Sequence, residues 1–429
     1  PAAALAREDL TRRVLPAIRR APDEVRNVVR ALEGRAVPPG PAGAPTRGQA
    51  DALPTGRNFY ALDPRTLPSR HAWQTGRALA EAVIARHLDE EEAYPDSVAI
   101  IAWGTANIRT RGEDVAQALH LLGVEPEWDD RSGRVAGLRV VPLERLGRPR
   151  IDIVFRASGF FRDSFAAAMD LVDEAVCTVA ALDEPPDRNF VRKHVLADLA
   201  QGVADDEARY RVFAPPPGAY VDGVAQAVEA GAWETRRDLA EVYAAWVDHA
   251  YTRARYGQPA RAALIRRASE LSVVLKTRDN EEHDVFDTDD YFQDFGAMAA
   301  LARELGGARA KAWVGDTTRP WRAAVRGAED EARRTFRRRV LNPKWLEGME
   351  RHGYQGGSEM LKTVEYAFGF DATAGVLEDW MYERLAEAYV LDARRRDLLA
   401  RHNPWALRDM ASRLLEAVRR GMWQAPPAH

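Results

Sequence analysis

The chain has 429 residues, of which 46% are hydrophobic and 29% charged, with a formal net charge of −4. That length allows roughly two or three domains with substantial cores, and the near-neutral balance, with no basic stripe interleaved with aromatics, argues against nucleic acid as a partner. No run of about 18 uncharged apolar residues is present to span a membrane and no apolar signal segment with a basic leader opens the chain, so a cytoplasmic protein is expected; the single cysteine, Cys177, excludes an internal disulfide and a thiolate metal cage.

Residues 1–56 divide into a charged helical segment, AREDLTRRVLPAIRRAPDEVRNVVRALEG, and a Pro/Gly/Ala stretch, RAVPPGPAGAPTRG, whose composition predicts a semi-extended spacer rather than a packed element. A start at Pro1 rather than methionine fits processing or truncation.

Residues 57–204 alternate between strand and helix. The run 98–103 (VAIIAW) reads as a continuous apolar strand between Pro95 and Gly104, and 113–122 as the helix after it; 151–155 (IDIVF) is a second strand, followed by a helix over 163–182. The alternation predicts an α/β fold with a parallel sheet, whose ligands bind outside the carboxyl ends of the strands. The loops at those two ends, GTANIRTRGED and RASGFFRD, carry Arg109 and Arg111, and Arg156 and Arg162. Guanidinium forks pair bidentately with carboxylates, so the constellation predicts an anion-holding rim; surface pairing with Glu113, Asp114 and Asp163 is the plainer reading of any one of them.

Residues 205–322 read as an α+β region with fewer strand signals. It holds a rigid PPPGAY loop, an aromatic helical stretch LAEVYAAWVDHAY bearing His249, and then residues 279–294, DNEEHDVFDTDDYFQD, with eight carboxylates around His283. Such a loop is either a solvated charge run or a site for a divalent cation or a proton, because it offers oxygen and nitrogen ligands together. A mainly helical region follows over 323–429, its tryptophans expected in the core. There is no Walker A loop: GGSEMLKT has leucine where the second glycine should precede Lys362. No G-x-S-x-G, H-E-x-x-H, C-x-x-C or GxGxxG motif occurs, and DTDDYFQDFG lacks the glycine and glutamate of an EF-hand loop.

Nine blocks resemble, in order, the large subunits of the ATP-dependent metal chelatases that insert a divalent ion into a tetrapyrrole. They are RNFYALDPRTLPSR, YPDSVAIIAWGTANIRTRGEDVAQALHLLGVEP, LGRPRIDIVFRASGFFRD, DEPPDRNFVRKH, PPPGAY, VGDTT, VLNPKWLEGMERHGYQG, EDWMYE and NPWALRD. The family has a branch resembling the aerobic cobaltochelatase large subunit and one resembling the large subunit of magnesium chelatase. The acidic block, with DTDDY and FGAMAA after it, looks like the cobalt branch, although TRDNEEHD lacks the basic residue that more usually precedes the Glu-His pair.

The resemblance implies a tetrapyrrole-binding chain, the carboxyl-terminal portion of a longer subunit. It would insert Co²⁺ into hydrogenobyrinic acid a,c-diamide, while ATP with Mg²⁺ is hydrolysed on an AAA+ partner beside a second chelatase subunit. Magnesium insertion into protoporphyrin IX and a non-catalytic binding or assembly role are the alternatives. Insertion requires two pyrrole protons to leave and a dehydrated ion to arrive. On this reading His283, Glu282 and Asp284 are the catalytic candidates, and His283, Asp287, Asp289 and Asp290 the metal ligands. Trp103, Arg109, Arg111, Glu113, Arg156, Phe160 and Arg162 are the substrate contacts.

Overall fold

The computed structural model describes residues 2–426 apart from Gly48, Ala61, Val221 and Asp222. Its frame is one eight-stranded sheet built from β1 (Ser97–Ala102), β2 (Asp152–Ala157), β3 (Val212–Ala214), β4 (His249–Tyr251), β5 (Tyr256–Pro259), β6 (Val273–Arg278), β7 (Lys311–Asp316) and β8 (Ala324–Gly327). The spatial order is β8-β7-β6-β1-β2-β3-β4-β5, with the run from β7 to β3 parallel and antiparallel partners at both edges. Every residue of β1, SVAIIA, is buried, as expected of a strand covered on both faces.

The helices that position the site are α1 (Arg70–Glu91), α2 (Gly104–Thr110), α3 (Glu113–Leu122), α4 (Gly159–Ser164), α5 (Ala166–Ala180), α6 (Arg236–Trp246), α7 (Gly353–Ala374) and α8 (Pro404–Arg419). Side chains alternate across a strand, and here they divide the interior into two cores. Val98, Ile100, Ile153 and Phe155 pack under α1, α3 and α5. Ala99, Ile101, Val154 and Phe213 meet α6, the helical run 291–305 and α7 and α8.

The expected parallel α/β sheet and helical carboxyl-terminal region are present, but three expectations change. The boundary set at 204 runs through the sheet: β3 to β8 all lie beyond it, and β6 pairs directly with β1. His249 opens β4 rather than extending a helix, because α6 ends at Trp246. The Pro/Gly stretch is not a free spacer. Gly40–Pro41 pairs with Asn58–Tyr60, and Arg47, Gln49 and Ala52 are buried against the carboxyl rim of the sheet, held there by side-chain hydrogen bonds that the low hydrophobicity of the segment does not reveal.

Candidate active site

The chain leaves β1 toward β2 on one side, while β6 lies against β1 on the other, so the strand order reverses between β1 and β6. Crevices of this kind, at the carboxyl ends of the strands, are where open α/β sheets hold ligands. Here β1 delivers Trp103 and α2 to the crevice, and β6 delivers Lys276, Asp279 and then the acidic loop. A cavity of about 1410 Å³ opens instead at the amino ends, beside Arg148 and Arg303. Those two side chains are committed to carbonyl oxygens at the ends of α3 and α7.

A buried polar network fills the floor of the crevice. Lys276 is fully buried; its Nζ donates to Ile101 O at 3.1 Å and sits 3.9 Å from the centre of the Trp103 ring. Trp103 Nε1 donates to Asp294 at 2.8 Å, and Arg156 donates to the other oxygen of that carboxylate at 2.5 Å. Arg109 grips Asp279 with two bonds of 2.7 and 2.9 Å. Arg47, from the amino-terminal segment, donates to Glu113 at 2.8 Å and to the Asp279 carbonyl, and Thr317 at the end of β7 donates to Glu113 at 2.7 Å. Asn107 and Gln117 donate to Asp114 at 2.7 and 3.3 Å.

Burial sets the protonation of these groups. It lifts the Glu113 carboxyl to about 8, against the pull of Arg47 and Thr317, and raises Asp114 as well, although Lys276 lies close to it. Burial also lowers Lys276, whose charged form is supported by Asp114, Asp279 and Asp294. Asp279 behaves oppositely: burial would raise it, but the Arg109 pair wins and holds it below the usual carboxylate range. The crevice thus places proton-holding carboxyls close to an ion-paired one, a division of roles suited to acid–base chemistry.

The acidic loop forms the lip of the crevice. Asn280 Oδ1 accepts from the amides of Glu282 and His283 at 3.0 and 2.9 Å, which fixes a turn with both side chains exposed. Glu282 lies close enough for its charge to act on Arg109. Arg339 ties Asp284 with bonds of 2.6 and 2.8 Å and reaches Asp287 at 3.1 Å. The Thr288 hydroxyl lies 3.4 Å from Asp289 and 3.0 Å from Asp290. Protein packed around the Asp290 carboxyl, with repulsion from Asp294 and Asp289, lifts it to about 6 while the residue keeps solvent contact.

No three of His283, Asp287, Asp289 and Asp290 bring ligand atoms within 4.8 Å of one another, so the expected metal set is not a preassembled cage. The one such cluster among the described residues is Asp152, His194 and Glu270, at the amino ends of the strands. Arg211 donates to both oxygens of Asp152 at 2.8 and 3.0 Å and Arg267 lies 3.0 Å from Glu270, so guanidinium groups already supply the positive charge.

The expected arginine rim is mostly inward. Arg156 is buried between Asp294 and Tyr243, and Arg162 is buried on Asp163 and on the carbonyls of Pro215, Pro216 and Ala219; both forks are taken up by the fold. Arg109 is committed to Asp279. Arg111, half-buried, ends α2 with a left-handed φ of 60°. Trp103 is locked between Lys276, Asp294 and the edge of Tyr291, whose ring lies 5.0 Å away, whereas Phe160 is 42% exposed over Gly104. Sequence patterning assigns no role to Arg47, Asp114, Lys276, Asp279 or Asp294. The available signal is Lys276, a charge inside the apolar run SVVLKTR directly before the acidic stretch.

Residues 2–429 match the CobN/Magnesium Chelatase family. The chain is 47% identical over 414 residues to the aerobic cobaltochelatase subunit CobN of Pseudomonas aeruginosa, covering 95% of this chain and 33% of that one. It is 35% identical to the magnesium-chelatase large chain of Chlorobaculum parvum over 94% of this chain and 32% of the relative. The solved catalytic subunit of cobaltochelatase from Mycobacterium tuberculosis superposes with a TM-score of 0.93 at 47% identity, covering 98% of this chain and 36% of that one. The chain therefore spans about a third of the length of the relatives it matches. It belongs to the CobN/magnesium chelatase family, nearer its cobaltochelatase branch.

Proposed function

We propose that this chain carries the metal-insertion site of a cobaltochelatase, placing Co²⁺ into hydrogenobyrinic acid a,c-diamide, with ATP and Mg²⁺ handled by an AAA+ partner and a second chelatase subunit completing the complex. The observation that carries the reading is the fixed, exposed Glu282–His283 turn at the mouth of the strand-order crevice. The loop's open spacing suits a transient ion: His283, Asp287, Asp289 and Asp290 can exchange water ligands for protein ones without the closed geometry that would retain the metal. Asp290, at about 6, is ionised at neutral pH yet basic enough to accept a proton, and Glu282 and His283 stand beside it in the loop as further acceptors for the two pyrrole protons. Asp284 holds the loop to Arg339, which gives it a positioning role here. Among the substrate candidates, Arg111 and Phe160 keep access to solvent.

Absorbance titration of the chain with hydrogenobyrinic acid a,c-diamide and, separately, protoporphyrin IX tests the reading, followed by metal insertion in the reconstituted complex. Saturable binding of the corrinoid and cobalt insertion are expected. Preference for protoporphyrin with magnesium insertion would overturn the cobalt assignment, and binding without any contribution of the loop residues to insertion would favour a carrier or assembly role.

A further inference from the structure

With the buried arginines committed elsewhere, the carboxyl rim has one place where cations and an aromatic stand free. The turn between β7 and β8 projects Arg319-Pro320-Trp321-Arg322 beyond the end of β7. Trp321 is 82% exposed, and Arg319 and Arg322 are both exposed. Neither arginine has a carboxylate or any other side-chain partner among the described residues, whereas most of the chain's arginines are ion-paired.

The base of the turn is rigid. Asp316 accepts from the Thr318 amide and hydroxyl at 3.0 and 2.6 Å and pairs with Arg326 at 2.8 Å. The Thr317 amide donates to Arg278 O at 3.0 Å and its hydroxyl to Glu113 at 2.7 Å, so the turn is bolted to the floor of the crevice. The tip closes with Arg322 N donating to Arg319 O at 2.8 Å. A turn held this firmly at its base loses little conformational entropy on binding.

We propose that this turn is a substrate grip: Trp321 lies against the face of a macrocycle, and Arg319 and Arg322 pair with carboxylate arms at its edge. The proposal rests on the reading of the crevice as the tetrapyrrole site. An indole offers a large flat surface, and guanidinium forks match carboxylates bidentately, so aromatic and cations together select a flat, multiply carboxylated ligand over a neutral one. Phe160, at the end of β2, stands across the crevice from β7 by three interstrand spacings, about 14 Å. The two exposed aromatics therefore bracket the Glu282–His283 lip from opposite sides.

The test titrates hydrogenobyrinic acid a,c-diamide into the wild-type chain, Trp321→Ala, the pair Arg319→Gln with Arg322→Gln, and the pair Arg319→Lys with Arg322→Lys, at two salt concentrations. Both loss variants should raise Kd at least tenfold, the lysine pair should recover part of that, and the glutamine pair should weaken the salt dependence, while thermal midpoints stay unchanged because the turn is outside both cores. Wild-type binding that all variants reproduce within twofold overturns the grip and leaves the crevice assignment standing. Failure of the wild-type chain to bind the corrinoid overturns both.

Discussion

Arg109 and Asp279 illustrate how single charges fix the crevice. Asp279 is 6% exposed, and its carboxylate is matched by both arms of Arg109. Removing one partner of such a pair leaves an uncompensated charge in low dielectric, so Arg109→Ala should destabilise the chain by about 3 kcal/mol, read as a lower urea midpoint. Glu113 should leave a signature in pH. Its folded carboxyl, near 8 against an ordinary 4.5, keeps a proton that the unfolded chain has released. That contribution is complete below about pH 4.5 and is lost as pH rises toward 8. Thermal midpoints should therefore fall from pH 5 to 8 in the wild type, and Glu113→Gln should flatten that slope; an unchanged slope would show that Arg47 keeps Glu113 ionised. On the lip, His283 is exposed and bonded to the fold only through its backbone. His283→Ala should abolish metal insertion while corrinoid affinity and stability remain, and joint loss of binding and insertion would count against a catalytic role.

At the scale of elements, what can be read from the sequence depends on whether burial is written in apolar residues. β1 and β2 are apolar runs whose predicted spans agree with the observed strands to within two residues, and α3 agrees residue for residue. β6 escapes such a reading because its buried second half is Lys276, Thr277 and Arg278, whose places depend on partners outside the strand: Ile101, Gln117 and Glu281. The arginines are legible as a constellation but not in direction, since a fork on the rim and a fork buried against Asp294 have the same local sequence. β2 also begins on a buried charge. Asp152 accepts from Arg211 and lies 2.7 Å from His194 Nδ1, joining β2 to β3 and to the helix Phe190–Ala200. Burial opposes ionisation there, but Arg211 and His194 prevail and hold the carboxyl well below its usual range. A depressed carboxyl contributes stability above its unfolded pKa and loses it as pH falls. Asp152→Asn should thus cost about 3–5 kcal/mol at neutral pH, and its urea midpoint should decline less than the wild type's between pH 5 and 3.

For the molecule as a whole, the sheet decides what counts as a unit. β1 and β2 precede residue 205 and the other six strands follow it, yet Val98, Ala99, Ile100 and Ile101 register directly against Val273, Val274, Leu275 and Lys276, and β2 pairs with β3 on the opposite side. A chain ending at 204 would leave both edges of β1–β2 unpaired and the face formed by Ala99, Ile101 and Val154 without the helices that cover it. The remainder would lose the central strands on which β6 and β3 are laid. Neither piece retains a closed core, so the two cores flanking the sheet should melt together. Urea unfolding followed by far-UV circular dichroism and by tryptophan fluorescence should give coincident transitions, because Trp313 belongs to one core and Trp233 and Trp423 to the other. Separated midpoints would mean that the carboxyl-terminal helices hold together without the sheet. In that case the crevice, whose walls come from β1, β6, β7 and Arg47 at once, would open before the chain unfolds.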